Sequence, residues 1–353
     1  MLSKENFTKN HIEELRRAGK NDPAILERTV YAFGLLEAVL KTGMPFIFKG
    51  GTALLLLLDK PMRLSTDIDI IVAPETDVDK YIKEAGRIFP FIQSEEDVRI
   101  GRNNIEKRHY KFLYESPLTG RKFNILLDIL FDDNPYCTLV ECPVRNKLLI
   151  SEGDDLSARL PGINCILGDK LTAFAPHTTG IPFGIGKELE IIKQMYDCWT
   201  LFQKMSNFKE VQSVYHNVVR KEAEYRALKL DPSDVLADTV RSCLCIIGRG
   251  SIGKNEYPLY AAGIERIKGH IFSKAVNGEN AAIFACGILY LAAALMTDQN
   301  SCEPIKKADA YENSKIEIKN SKRINYIQQV DPIAYAYLTE AYRMLGDKYF
   351  VLE

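Results

Sequence analysis

The segment FKGGTAL at residues 48–54, followed by RLSTDIDI at residues 63–70, decides how this sequence is interpreted. Two adjacent glycines separate a short apolar run from a run of leucines, and two carboxylates then alternate with isoleucines. This order predicts a short strand at 45–48, a glycine turn, a helix at 52–59 and a second strand at 67–72. The second strand would present its two carboxylates on one face.

Asp67 and Asp69 are the first candidate site residues, because side chains two positions apart on a strand lie on the same face. Two carboxylates with few other ligands suit Mg²⁺ or Mn²⁺, which prefer oxygen donors. Asp128 is the candidate third carboxylate, since it is a charge within the apolar run FNILLDIL at 123–130. The alternative is that Asp67 and Asp69 only form a solvated strand face.

The glycine turn at Gly50 and Gly51 is the candidate phosphate site. Glycines let backbone amides approach a ligand closely, and the N-terminus of the following helix favours negative charge. An ordinary strand-to-helix turn is the alternative explanation of the same residues.

A second glycine-rich segment, GRGSIGK at 248–254, has the spacing of a phosphate loop but not its context. Asn255 stands where such a loop needs serine or threonine for Mg²⁺. The preceding residues 235–247 have helical rather than strand spacing. We therefore predict a loop between helices and no phosphate site.

Composition describes an ordinary globular chain of 353 residues, 46% apolar, with a net charge of −1. A net charge of −1 excludes a basic field over the whole protein, so any nucleic-acid surface must be local.

The eight cysteines include no CxxC pair, which predicts reduced thiols and no disulfide. The apolar run 281–296 is short for a bilayer span and predicts a buried helix. With no apolar signal core at the first residues, the expected location is the cytoplasm.

The pattern along the chain changes near residue 160, from mixed to purely helical spacing. We predict an α+β fold: a domain at 1–160 with a mixed sheet flanked by helices, and an all-α domain at 161–353. Within the first domain, 107–114 and 121–131 should pair as a hairpin, because the loop between them is rich in turn residues. The predicted helices are 8–20, 23–42, 52–59, 77–90, 167–174, 187–204, 207–228, 232–247, 257–275, 281–296 and 332–345.

Two motif blocks together resemble the AbiEii/AbiGii nucleotidyl transferase toxin family, within the DNA polymerase β-like nucleotidyltransferase superfamily. The first block is KGGTAL at 49–54 with the RxSxDID pattern at 63–69. The second is LGDKLTAF at 167–174 with KQMYD at 193–197. The resemblance covers roughly residues 30–205 and implies the polymerase β-like fold for the first domain.

The resemblance also implies site residues. Asp67 and Asp69 would bind the catalytic metals, with Asp128 as a further ligand or base. Lys170 would neutralise charge developing on phosphate, and Asp197 would support the site, so that the helical domain completes an interdomain active site. The implied nucleotide-binding residues are Lys49, Gly50, Gly51, Thr52 and Ser65.

The implied activity is transfer of a nucleoside monophosphate from an NTP to RNA, chiefly the 3′ end of tRNA. The implied role is that of a toxin paired with a separate antitoxin. Rival functions are an NTP-binding interaction protein without transfer activity and a nucleotidyl transferase for small molecules.

Two basic segments could contact RNA or could be solvated faces. The first contains Arg99, Arg102, Lys107, Arg108 and Lys111, with Tyr110 and Tyr114 available for stacking on bases. The second contains Lys306, Lys307, Lys315, Lys319, Lys322 and Arg323.

Overall fold

A computed structural model describes residues 1–19, 21–60, 62–98, 106–272, 276–318 and 322–350. The chain divides into two compact units. Unit 1 comprises Met1–Gly162 and Gly269–Lys274, and unit 2 comprises Ile163–Lys268 and Ala275–Glu353. The sequence placed the boundary near residue 160 but did not foresee that 269–274 belongs with the first unit.

Unit 1 is built on a five-stranded mixed sheet. Its strands are β1 (Ile47–Lys49), β2 (Ile68–Val72), β3 (Gln93–Glu96), β4 (Lys107–Glu115) and β5 (Lys122–Phe131). They lie in the order β1-β2-β5-β4-β3, with β2 and β5 parallel and the other neighbours antiparallel. A separate antiparallel pair is formed by β6 (Leu139–Pro143) and β7 (Ser157–Pro161). The α+β class is as predicted.

Unit 1 also contains helices. They are a 3₁₀ turn at Lys4–Phe7, α1 (Lys9–Gly19), α2 (Pro23–Lys41), α3 (Gly50–Leu57) and α4 (Asp79–Ala85). Helix α2 starts as predicted: the Asp22 side chain accepts hydrogen bonds from the backbone of Ala24 and Ile25, and Pro23 is the first helical residue. Most of its residues are buried, and each fully buried large apolar side chain stabilises the unit by roughly 1.5–3 kcal/mol.

Strand β2 and the β4–β5 hairpin confirm the alternation seen in the sequence. Ile68 and Ile70 are buried, whereas Asp69 between them is only half-buried. The hairpin pairs Glu115 with Lys122 and continues in register to Lys107 and Leu130. The sheet therefore has one apolar face and one face that carries polar residues.

Unit 2 is entirely helical within its described residues. Its helices are α5 (Ile163–Ala173), α6 (Glu188–Phe202), α7 (Phe208–Tyr225), α8 (Pro232–Gly248), α9 (Tyr257–Arg266), α10 (Gly278–Met296), α11 (Lys322–Val330), α12 (Pro332–Leu345) and α13 (Asp347–Phe350). Helix α10 is long and apolar enough to cross a membrane by length and composition, but it is mostly buried, packing against α6, α8 and α12. The predicted buried helix is thus present.

All eight cysteines lie in described segments and are free thiols, as predicted. Six are buried. Burial raises the pKa of the Cys302 thiol to about 12, so this group stays protonated and unreactive at neutral pH.

Several predicted helices are wrong in extent, and some elements were not predicted. The helix expected at 77–90 stops at Ala85, because Gly86 follows it and Pro90 cannot continue it. The helix expected at 257–275 ends near Arg266. A 3₁₀ turn follows, and Ile271 then forms a β-bridge with Arg63. Strands β3 and β7 and helices α11 and α13 were not predicted.

Candidate active site

One row of polar residues crosses four neighbouring strands of unit 1. Lys49 pairs with Asp69, Asp69 pairs with Asp128, and Asp128 pairs with His109. Residues in register on adjacent strands share a face of the sheet, so the four side chains line one stripe. The structure therefore brings together Asp69 and the predicted third carboxylate, Asp128, on adjacent parallel strands.

The glycine turn stands directly against this row. Gly50 begins α3 with φ +81°, a left-handed conformation that favours glycine. A Cβ at this position would overlap the Asp69 carboxylate and lie only 2.8 Å from its Cγ. The missing side chain at Gly50 thus allows Asp69 to pack against the N-terminus of α3, where backbone amides point outward.

Replacing Gly50 with alanine is expected to displace Asp69 and to abolish any chemistry that depends on it. The left-handed backbone adds a stability loss of about 1–2 kcal/mol. Gly43→Ala is the matched control, because Gly43 also has positive φ (+72°) but a Cβ there would meet nothing within 4 Å. Urea unfolding should show a loss for both variants, larger for Gly50→Ala because of its overlap with Asp69, and transferase assays should show inactivity only for Gly50→Ala. Equal activities would refute the role given to the Gly50–Asp69 contact.

Gly51 is equally close to two side chains from the segment before β2. A Cβ there would lie 2.6 Å from Nη2 of Arg63 and 2.7 Å from Oγ of Ser65. The predicted residue Ser65 therefore lies at the turn. Arg63 was quoted only as part of a motif, yet it is 7% exposed and its Nη1 donates to the Leu64 carbonyl at 3.0 Å. It places a buried positive charge beside the turn.

Thr52, predicted to bind nucleotide, has its hydroxyl committed to the protein. It is fully buried, and its Oγ1 donates to the backbone carbonyl of Asp67 at 2.6 Å. A hydroxyl has one hydrogen to donate, so Thr52 holds the carboxylate segment against α3 instead of offering a donor to a ligand.

The three carboxylates fit a divalent cation by donor type, and two of them also by backbone placement, because Asp69 and Asp128 are register partners. Asp67 is exposed and immediately precedes β2, so it lies outside the strand on which it was predicted. Among the described residues, no cluster containing all three has its ligand oxygens within 4.8 Å of one another. Like charges repel, so we expect a cation to draw these oxygens together.

Asp128 has a further partner that sequence reasoning missed. Nδ1 of His109 lies 2.6 Å from Oδ1 of Asp128. The predicted hairpin paired 107–114 with 121–131 without fixing their register, and only the observed pairing of Glu115 with Lys122 places His109 opposite Asp128.

The second motif block lies in unit 2 and forms a buried ion pair. Nζ of Lys170 on α5 is 2.9 Å from Oδ2 of Asp197 on α6, and it also donates to Oε1 of Gln194 at 2.9 Å. The two charged side chains are 10% and 2% exposed. The structure thus joins these two predicted residues directly, with Asp197 holding the Lys170 ammonium.

The glycine-rich segment at 248–254 follows α8, as predicted from its helical context. Arg249 ends that helix in the left-handed conformation, and Gly253 packs beside Cys245. The segment is a helix–helix loop and does not follow a strand.

His177, in the loop between α5 and α6, has a hydrogen-bond partner at each ring nitrogen. Nδ1 lies 2.7 Å from Oδ1 of Asp238, and Nε2 lies 3.3 Å from Oε1 of Glu256. The hydrogen bond to Asp238 raises the pKa of His177 above its usual value of 6.5. The histidine fastens the loop between α5 and α6 to α8.

His177 should make the stability of unit 2 depend on pH. The pKa of His177 is higher in the folded than in the unfolded chain, so protonation of His177 adds to the free energy of unfolding. This stabilisation is fully present below the unfolded pKa of about 6.5 and is lost as the pH rises through the pKa of the folded state. We expect the difference in urea midpoint between wild type and His177→Gln, followed by the fluorescence of the single tryptophan, to be larger at pH 6 than at pH 8. His216→Gln, at a half-buried histidine of α7, is the control. A difference independent of pH would contradict the prediction.

The basic segment on β4 is largely neutralised. Arg108 contacts Asp79 at 2.7 Å and Glu96 at 2.8 Å, and Lys111 contacts Asp97 at 2.7 Å. These cations are therefore not a free positive surface for RNA.

The tyrosines of the same strand are also unavailable for stacking on bases, contrary to expectation. Tyr110 is 4% exposed, and Tyr114 is fully buried, with its hydroxyl donating to Glu27. Arg99, Arg102 and Lys319 lie outside the described residues. Of the second segment, Lys306, Lys307, Lys315, Lys322 and Arg323 are exposed.

A known protein family matches the part of the chain that contains these features. The sequence profile of the family described as "Nucleotidyl transferase AbiEii toxin, Type IV TA system" matches residues 35–256. The solved structure of JHP933 from Helicobacter pylori is 15% identical with a TM-score of 0.43, covering 77% of this chain and 93% of that chain. An antigenic nucleotidyltransferase-like protein from Paracoccidioides brasiliensis is 18% identical with a TM-score of 0.34, covering 59% and 96%. Comparison with curated proteins gives no match. The family match includes the glycine turn, all three carboxylates and the Lys170–Asp197 pair.

Proposed function

This chain belongs to the AbiEii family of nucleotidyl transferase toxins of type IV toxin–antitoxin systems, and from that premise we propose its reaction in more detail. It transfers a nucleoside monophosphate from an NTP to RNA, with the 3′ end of tRNA as the acceptor and Mg²⁺ or Mn²⁺ as the cofactor. The observation that carries the proposal is the in-register pair Asp69–Asp128 beside the glycine turn at Gly50.

The carboxylates account for the metal part of the proposal. Asp67, Asp69 and Asp128 are the residues that would hold the ion. When bound, it would supply charge neutralisation at the phosphates and a lowered pKa for the attacking hydroxyl. Oxygen donors of this type, with water and phosphate filling the remaining positions, are what Mg²⁺ prefers.

The turn accounts for phosphate binding. The first backbone amides of α3 follow Gly50 and have no helical partner, so they can donate to phosphate oxygens. The Ser65 hydroxyl and the buried Arg63 guanidinium lie against Gly51 and add a donor and a positive charge. Lys49 heads the same row as Asp69. Positioning and charge neutralisation supply most of the rate in phosphoryl-type transfer.

The role of Lys170 follows from its chemistry and its motif. Its ammonium is buried and already paired with Asp197 and Gln194, so a phosphate oxygen would have to take over part of that pairing. We propose that Lys170 neutralises negative charge on the phosphates and that Asp197 orients it.

The exposed lysines of unit 2 are better placed to contact an RNA acceptor than the basic residues of β4. Lys306, Lys307, Lys315 and Lys322 are exposed, and within the described residues none of them forms an ion pair. Such lysines can contact backbone phosphates without first breaking a salt bridge.

NTP and RNA as substrates, together with reduced thiols, support a cytoplasmic location. Family membership also implies a cognate antitoxin.

Incubation with each α-³²P-labelled NTP, Mg²⁺ and total RNA tests the proposal. We expect label in RNA of tRNA size and release of pyrophosphate. Label on a small molecule would instead favour a small-molecule transferase, and binding of NTP without transfer would favour an interaction protein. Either result contradicts the proposed acceptor.

A further inference from the structure

His109 is tied to the candidate metal carboxylate by a short hydrogen bond. Nδ1 of His109 lies 2.6 Å from Oδ1 of Asp128. A carboxylate can only accept, so the imidazole N–H donates. The two side chains are 16% and 34% exposed, which places the histidine deeper than its partner.

The His109–Asp128 pair lies at one end of the row of polar residues that crosses the sheet. His109 stands opposite Asp128, and Asp128 stands beside Asp69, so the imidazole lies at the far end of the carboxylate row from Lys49. A carboxylate next to another carboxylate tends to rotate away from it, because like charges repel. A hydrogen bond to Oδ1 limits that rotation and leaves Oδ2 for a cation.

We propose that His109 is a positioning residue that orients Asp128 for binding a divalent cation. The inference rests on the proposed function, since it assumes that Asp128 is a metal ligand. Partners that hydrogen-bond to a metal ligand typically change metal affinity by about 10–100-fold when removed. His109 acts through Asp128, so its effect must vanish when Asp128 is changed.

The competing explanation is a cross-strand pair that only stabilises the sheet. In that case removal of His109 would lower the urea midpoint but leave cation affinity unchanged. Cation affinity therefore separates the two roles, and it can be measured without turnover.

The experiment measures Mn²⁺ binding to the full chain by the electron paramagnetic resonance signal of free Mn²⁺. Five proteins are compared: wild type, His109→Leu, His109→Asn, Asp128→Asn and the double variant His109→Leu/Asp128→Asn. Circular dichroism checks that each is folded. Asparagine keeps an N–H donor near the position of Nδ1, whereas leucine has none.

We expect His109→Leu to weaken Mn²⁺ binding about tenfold or more, and His109→Asn to restore most of that loss. In the Asp128→Asn background, His109→Leu should change the affinity by less than about twofold, because two groups that act through one contact are not additive. Unchanged affinity in His109→Leu, or an equal loss in the Asp128→Asn background, would overturn the inference.

Failure of the inference can be distinguished from failure of the proposed function. If wild type transfers nucleotide to RNA while His109→Leu binds Mn²⁺ normally, only the role of His109 is wrong. If wild type binds no Mn²⁺ and transfers no nucleotide, the metal site itself is wrong, and the inference falls with it.

Discussion

Replacement of Asp69 with asparagine is expected to lower the rate of nucleotidyl transfer about a thousandfold without unfolding the protein. Asparagine has nearly the same shape, so the contact with Gly50 and the register with Asp128 are preserved. What is lost is one negative charge among the proposed cation ligands. A bound metal contributes several kcal/mol to the transition state, and about 4 kcal/mol corresponds to a factor of a thousand.

The measurement is incorporation of α-³²P into RNA at saturating NTP and Mg²⁺. Glu95→Gln is the matched control, because Glu95 is an exposed carboxylate on β3 of the same sheet and its change removes the same charge. The control should retain wild-type activity. An Asp69→Asn variant with activity within tenfold of wild type would show that Asp69 does not bind an essential ion.

Replacement of Asp197 with alanine is expected to destabilise unit 2 by about 3–5 kcal/mol, because it leaves the Lys170 ammonium buried without its carboxylate. Trp199, the only tryptophan, lies two residues further along α6, so its fluorescence reports unfolding of this unit. Urea unfolding at pH 7 gives the free energy. Removing both charges in Lys170→Met/Asp197→Leu should restore much of the stability, because apolar replacements need no counter-charge.

Glu190→Ala is the control for the Asp197 prediction. Glu190 lies on the same helix and pairs with Lys193 at 3.7 Å, but its side chain is 40% exposed. Surface pairs contribute about 1 kcal/mol or less. A loss in Asp197→Ala no larger than in Glu190→Ala would mean that the buried pair is not needed for stability.

The sequence predicted the structure best where a local residue pattern alone determines both the conformation of a segment and the face that it buries. Alternating Asp and Ile residues predicted β2 and its buried face, because the period of two is imposed by the strand itself. The glycine turn was predicted from two residues whose freedom the structure uses, with Gly50 at positive φ. The β4–β5 hairpin was predicted because its loop is local.

Features set by distant partners could not be predicted in this way. Strand β3 is short and polar, and β7 becomes a strand only by pairing with β6. The segment around Ile271 leaves its helical pattern because it pairs with residues near Arg63, about two hundred positions away. The use of the Thr52 hydroxyl by the Asp67 carbonyl is likewise a tertiary contact that no local pattern encodes.

We propose above all that Asp67, Asp69 and Asp128 together bind a divalent cation beside the glycine turn. The most direct test is a crystal structure with Mn²⁺ and a non-hydrolysable NTP analogue, using the anomalous signal of manganese. We predict a peak about 2.1 Å from oxygens of at least two of these carboxylates, with the triphosphate against Gly50 and Gly51. A triphosphate and metal bound elsewhere, with the three carboxylates turned apart, would contradict the account.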